Sequence, residues 1–250
     1  MVTESLQLYP KRFFELQLLF AEKIAELSQQ SLEEAVLHYT AFYRMLGLDW
    51  SLNPAHPVWQ MYLQQLQQEH PDAEQTYQFY LQRYKDIPKF TDQVHWGCFA
   101  YEYHAETQTV HLHFSNQDTS GYGALSTHQR TARMSELKMM FRHIQEIHPE
   151  ASLVRGMSWL YHRESYRRLF PAAYGQSAQV VENPYLPGRA IWGQFLRRDW
   201  QVNEQTLSVF LQRVGQLEDV ERCVHCFPYS VLQTASPIAA FYAFYAFYEI

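Results

Sequence analysis

Two histidines two residues apart, His111 and His113, fall on one face of an alternating stretch, and Glu102 stands opposite His111 if the stretch folds back as a hairpin. Histidine titrates near neutrality and a carboxylate can orient its ring, so such a trio can pass a proton. The same geometry could hold a divalent metal, but nothing else in the sequence fixes a third strong ligand. A plain solvent-facing sheet surface is the competing reading. Cys223-Val-His-Cys226 offers two thiols, whereas a structural zinc takes four ligands, and Cys98 is distant. The Phe-Pro that follows does not suggest the helix N-terminus of a redox pair, so these read as buried, inert thiols.

Asp118-Thr-Ser-Gly121-Tyr-Gly123-Ala124 is a glycine turn ahead of a helix that opens at Ser126. Glycines there let backbone amides approach an anion at a helix start, and an ordinary loop is the alternative. Val154-Arg-Gly-Met-Ser-Trp-Leu-Tyr161 reads as a strand running into a loop, with Tyr166-Arg-Arg-Leu-Phe-Pro171 and Tyr174 beyond it. Arg155 sits on the strand, and Ser158, Trp159 and Tyr161 sit at its end, where binding loops gather. Ser158 lacks the flanking glycines of a nucleophile elbow. Arg167 and Arg168 lie about one helical turn from Arg163 and could clamp an anion; packing by Trp159, Tyr166 and Phe170 is the competing reading.

These segments carry two resemblances. Arg155–Tyr161, Tyr166–Pro171, the strand His111–Phe114 and the ending Pro237–Tyr245 resemble a family of uncharacterised bacterial proteins with an R-G-x-S-W-L-Y…Y-R-R-L-F-P…Y signature. That likeness covers Val94 to the end and implies no activity. The strand–glycine turn–helix context resembles the pyrophosphate loop of the N-acetyltransferase (GNAT) superfamily, Gln/Arg-x-x-Gly-x-Gly/Ala, with Asp118 in place of Gln/Arg. It implies an acyltransferase-like protein binding an anionic ligand, CoA or an acyl-CoA. In that reading Gly121, Gly123, Arg155, Arg167 and Arg168 hold the cofactor, and Glu102, His111 and Tyr161 are catalytic. The alternative is a non-catalytic binding or regulatory module that uses an arginine-rich surface and the aromatic C-terminus.

The elements that must position these residues divide at Asp86-Ile-Pro88. Residues 1–88 read as a helical region, with apolar residues at helical spacing and a capping box at Ser31-Leu-Glu-Glu34. Residues 89–250 read as an α+β domain, a mixed, mainly antiparallel sheet flanked by helices, with a GNAT-like fold implied by the resemblance. Period-two segments Val94–His104 and Thr109–Ser115 form the hairpin: Phe99, Tyr101, Tyr103, Val110, Leu112 and Phe114 face the core, and Cys98, Glu102, His104, His111 and His113 face away. A helix follows from Ser126 to His148, then strands at Ser152–Trp159, Gln179–Val181 and Ala190–Phe195, and a helix capped by Asn203. The ending Phe241–Tyr248 repeats every three residues, fitting neither strand nor helix; it packs back on the domain or joins an oligomer.

Composition bounds the rest. The 250 residues include 18 Tyr, 16 Phe and 6 Trp, enough rings for a dense core or a ligand pocket. The net charge of −6 argues against a general nucleic-acid binder, but Arg130–Arg198 holds eleven Lys/Arg, ten of them Arg, against five Asp/Glu. That surplus of six leaves the remainder at −12, so a small anionic ligand, or the acidic N-terminal part, is the expected partner of the arginines. No stretch approaches the roughly 20 apolar residues of a membrane span, and three cysteines make no disulfide framework, so the expected location is the cytoplasm.

Overall fold

A computed structural model describes residues 8–66, 73–87, 94–118 and 120–246. The chain begins with α1 (Lys11–Ser28), α2 (Leu32–Tyr39), α3 (Phe42–Met45), α4 (Pro57–Leu66) and α5 (Ala73–Arg83). The capping box is formed: Ser31 Oγ accepts from Glu34 N and Ser31 N donates to the Glu34 carboxylate, each at 3.2 Å. A hairpin follows, β1 (Phe99–His104) and β2 (Thr109–Phe114), then α6 (Arg130–Ile147), β3 (Leu153–Ser158), α7 (Glu164–Arg167), α8 (Ala172–Gln176) and β4 (Gln179–Val180). The chain ends with α9 (Arg189–Trp192), α10 (Glu204–Gly215), β5 (Leu232–Pro237) and α11 (Ile238–Ala246).

Two compact units result, and neither is one continuous stretch. The first joins Met1–Lys89 to Asn183–Pro228; the second joins Phe90–Glu182 to Tyr229–Ile250. The sequence reading places everything after residue 88 in one domain, but 183–228 belongs with the N-terminal helices. The reason is aromatic packing. Phe20 of α1 meets Trp192, Phe210 and Phe227 at ring distances of 5.4–5.8 Å, and all four rings are buried. Such interlocked rings contribute beyond the area they bury. The expected strand at Ala190–Phe195 is instead α9 followed by a short 3-10 turn, which turns Trp192 and Phe195 into this cluster.

The second unit holds a five-stranded sheet in the order β1-β2-β3-β5-β4. Glu102 pairs with His111 in the antiparallel hairpin, the register read from the sequence. β2 and β3 run parallel, while β5 pairs antiparallel with both β3 and β4. The sheet is therefore mixed, which corrects the mainly antiparallel expectation. An 18-residue helix between β2 and β3 is a crossover connection, and a crossover returns its second strand parallel to the first.

One face of this sheet is the core of the unit. Phe99, Val110, Leu112, Val154 and Leu232 are buried there with the α6 residues Met134, Leu137, Phe141 and Ile144. The C-terminal repeat forms a helix after all. Ile238, Phe241 and Tyr245 stand at helical spacing, and the last two rings stack on Phe141 at 4.8 and 5.2 Å. These two rings point into their own unit, Tyr242 and Phe244 stay partly exposed, and Phe247 and Tyr248 lie outside the described residues. Cys98 also departs from the expectation of an outward position, because it is buried and its sulfur accepts from Arg133 at 2.9 Å. No described helix is long and apolar enough to cross a membrane.

Candidate functional site

The parallel pair opens at one end. Backbone pairing of β2 and β3 runs from Thr109↔Leu153 to Leu112↔Gly156 and stops, although the strands continue to Phe114 and Ser158. The glycine turn leaves β2 at this end, and α6 begins there. Gly121 and Gly123 have φ of +81° and +85°, a conformation that costs a glycine little and any other residue more. A 3-10 turn, Thr127–Gln129, leads into α6, whose first turn carries no acid. Asp118, the residue least suited to an anion site, is engaged locally: its carboxylate accepts from Ser120 Oγ at 2.7 Å and from Ser120 N at 3.4 Å.

Several polar atoms near this turn are buried and have no hydrogen-bond partner: Ser115 Oγ, Asn116 Oδ1, Ser126 Oγ and Arg168 Nε. Native interiors leave few such atoms. Arg168 reaches the turn directly, donating to Leu125 O at 3.4 Å.

On the core side of the fork stand tyrosines. Tyr161 Oη and Tyr174 Oη share a hydrogen bond of 2.8 Å, and the space beside Gly156 belongs to these two hydroxyls, which a Cβ there would strike. Thr234 Oγ1 of β5 donates to Gly156 O at 3.4 Å in the same place. Burial raises the pKa of Tyr161, Tyr166 and Tyr174, so all three keep their protons at neutral pH. Tyr161 is carried there by a 3-10 turn, Trp159–His162, capped by Ser158 Oγ, which accepts from Leu160 N at 3.1 Å.

The opposite face carries the histidines. His104 Nε2 lies 3.5 Å and His113 Nε2 3.7 Å from the Glu102 carboxylate, and the rings of His104 and His111 are 4.5 Å apart. Desolvation, the largest cause, lowers the pKa of His111 and His113, so both rings are neutral at physiological pH and able to accept a proton. Arg155 pairs in register with His111 and is exposed on this face.

The expected catalytic trio is thus divided by the sheet: Glu102 and His111 lie on the open face, Tyr161 on the packed one. Of the cofactor set, Gly121, Gly123 and Arg168 share the turn, and Arg155 stands on the open face. Arg167 is taken up with Glu164 at 3.2 Å. Several other arginines pair close by in sequence too, Arg133 with Glu136, Arg142 with Glu146 and Arg197 with Asp199, which reduces any arginine-rich surface. Among the described residues no three His, Cys, Asp or Glu side chains are placed to hold a metal ion. Cys223 and Cys226 are buried, and burial pushes both thiols up to about 11.

His113 stands beside His111, as the alternation indicates, and Tyr174 is the residue that sequence reasoning left out of the site. For Tyr174 there was no signal, because only the fold brings it to Tyr161. Compared with known proteins, the chain matches no family model, no curated protein and no solved structure.

Proposed function

We propose that the second unit binds an anionic, CoA-type acyl donor in the fork between β2 and β3 and acts as an acyltransferase-like protein. The observation that carries this is the early end of pairing at Leu112↔Gly156, which leaves free backbone on two parallel strands beside a glycine turn and a helix start. Ligands favour the carboxyl ends of parallel strands, where turn amides and a helix N-terminus suit phosphate. The hairpin–turn–helix–parallel strand order accords with the resemblance to the N-acetyltransferase superfamily.

In this reading Gly121 and Gly123 cradle phosphate, with Arg168 alongside, and Arg155 and Arg167 attract the anion from outside. Beyond Leu112↔Gly156 no pairing between β2 and β3 separates the two faces of the sheet. Neutral His113 or His111, oriented by Glu102, takes the proton of the acceptor as it attacks the thioester carbonyl. Tyr161, protonated, gives its proton to the departing thiolate, so the charges balance at each step.

The test is thermal unfolding with CoA, acetyl-CoA and ATP. A ligand at about a hundred times its Kd adds roughly 2.7 kcal/mol. A rise in Tm with the CoA compounds and not ATP supports the reading, and an equal rise with all three marks a general anion site. No rise with any removes it and favours a non-catalytic binding module. That second reading rests on the open sheet face, where Arg155 and Met157 are exposed.

A further inference from the structure

The first unit has a cavity of its own, of about 440 Å³, between the end of α10, residues 216–219 and the 3-10 turn Val220–Cys226. Its size is that of a small-molecule site. Arg213, Arg222, Glu218, Asp219, His225 and Cys226 are among the residues that line it.

The charges around it are balanced and separated. Among the described residues no ion pair engages Arg222, Glu218 or Asp219, although Glu218 and Arg222 are four residues apart. Asp219 uses one carboxylate oxygen to cap the turn, accepting from Glu221 N at 2.9 Å, and keeps the other. Arg213 is fixed by Nη1, which donates to Phe227 O at 2.9 Å and His225 O at 3.3 Å, so its other N–H groups stay available. His225 Nδ1 lies 3.2 Å from Arg222 O; a carbonyl only accepts, so Nδ1 is the donor. The buried part of the wall is apolar, formed by Leu217 and the protonated thiol of Cys226.

A dianion would meet two carboxylates here, and a cation two guanidiniums. A ligand with both charges and an apolar body meets complementary groups throughout. We infer that this cavity binds a free α-amino acid with an aliphatic side chain. Arg222 and Arg213 receive its carboxylate, Glu218 and Asp219 its ammonium group, and Leu217 and Cys226 its side chain. The inference is independent of the acyl-donor reading, since every residue belongs to the first unit.

Titration calorimetry of the full chain with L-leucine tests it, against isoamylamine, which lacks the carboxylate, and 4-methylpentanoate, which lacks the ammonium group. Saturable binding of leucine is expected, weakened at least about tenfold in each analogue, as for the loss of one charge-assisted contact. Arg222→Gln and Glu218→Gln, both at exposed positions, should each weaken leucine by a similar factor while leaving the unfolding temperature of the free protein in place. Absence of leucine binding up to its solubility limit overturns the inference. So does equal binding of 4-methylpentanoate, which would mark a simple anion site, or wild-type affinity in both variants.

Discussion

Tyr161 and Tyr174 meet hydroxyl to hydroxyl, 2.8 Å apart, in the space that Gly156 leaves by having no side chain. The close approach of two rings to a strand is what requires a glycine at this position. Gly156→Ala should therefore overpack the fork and destabilise the protein by about 1–3 kcal/mol, read from urea unfolding. Tyr161→Phe alone should cost about 1 kcal/mol for the lost hydrogen bond. Combining the two should cost less than their sum, because the phenylalanine ring lacks one of the atoms that the new methyl strikes. Strict additivity would show that the tyrosines do not occupy this space.

Arg133, Glu136 and Cys98 make a second dense polar contact, between the start of α6 and the residues leading into β1. Arg133 Nη2 donates to Glu136 Oε1 at 2.6 Å, and Cys98 N donates to Glu136 Oε2 at 3.1 Å. The Arg133 and Glu136 side chains are only 7% and 13% exposed. Glu136→Ala should destabilise by about 3–5 kcal/mol, since it leaves a buried guanidinium uncompensated. Arg133→Met with Glu136→Leu should recover most of that loss, and equal damage from both variants would disprove this account.

Stability should fall with acid in the histidine range. His111 and His113 have folded pKa values below their ordinary 6.5, chiefly through desolvation. As pH falls the unfolded chain takes up these protons first, so the unfolding free energy is steady above the range and declines through it. It levels off below the folded values, where both states are protonated. Urea midpoints between roughly pH 7.5 and 5.5 should show this decline, and His113→Asn should flatten it. In Glu102→Gln the His113 resonance should titrate lower still, because the carboxylate raises its pKa.

The three cysteines should stay silent in the native protein. Cys98, Cys223 and Cys226 are all free and buried, and burial raises each thiol above its ordinary value. A thiol reagent at pH 8 should label none of them quickly, and all three once denaturant is added. Rapid labelling of one native cysteine would contradict the buried placement.

The sequence made some of this legible because the relevant signals are local. The Glu102–His111 register follows from alternation on both sides of a short turn, and Ser31 and Asn203 announce their helices by side-chain caps that the structure retains. β5 escaped because its inward residues include Thr234 and Ser236, so a buried strand shows no apolar alternation. The partner of α1 was invisible for a different reason. Phe20 finds Trp192 and Phe210 across more than half the chain, and nothing near either end of that contact in sequence reports it. The division of Tyr161 from Glu102 is likewise a property of the sheet, which sends adjacent segments to opposite faces.

Each unit is split by the other's chain, and this sets an order of events during synthesis. The first unit lacks Trp192, Phe210 and Phe227 until residues through Pro228 have emerged, and by then β1 to β4 of the second are already made. The second cannot join β3 to β4 until β5 appears after that return, so its sheet waits in two pieces. Neither unit can be completed by a fragment that stops short of Pro228. A truncation at residue 182, which looks like a clean removal of the tail, would deprive both units of their closing segments at once.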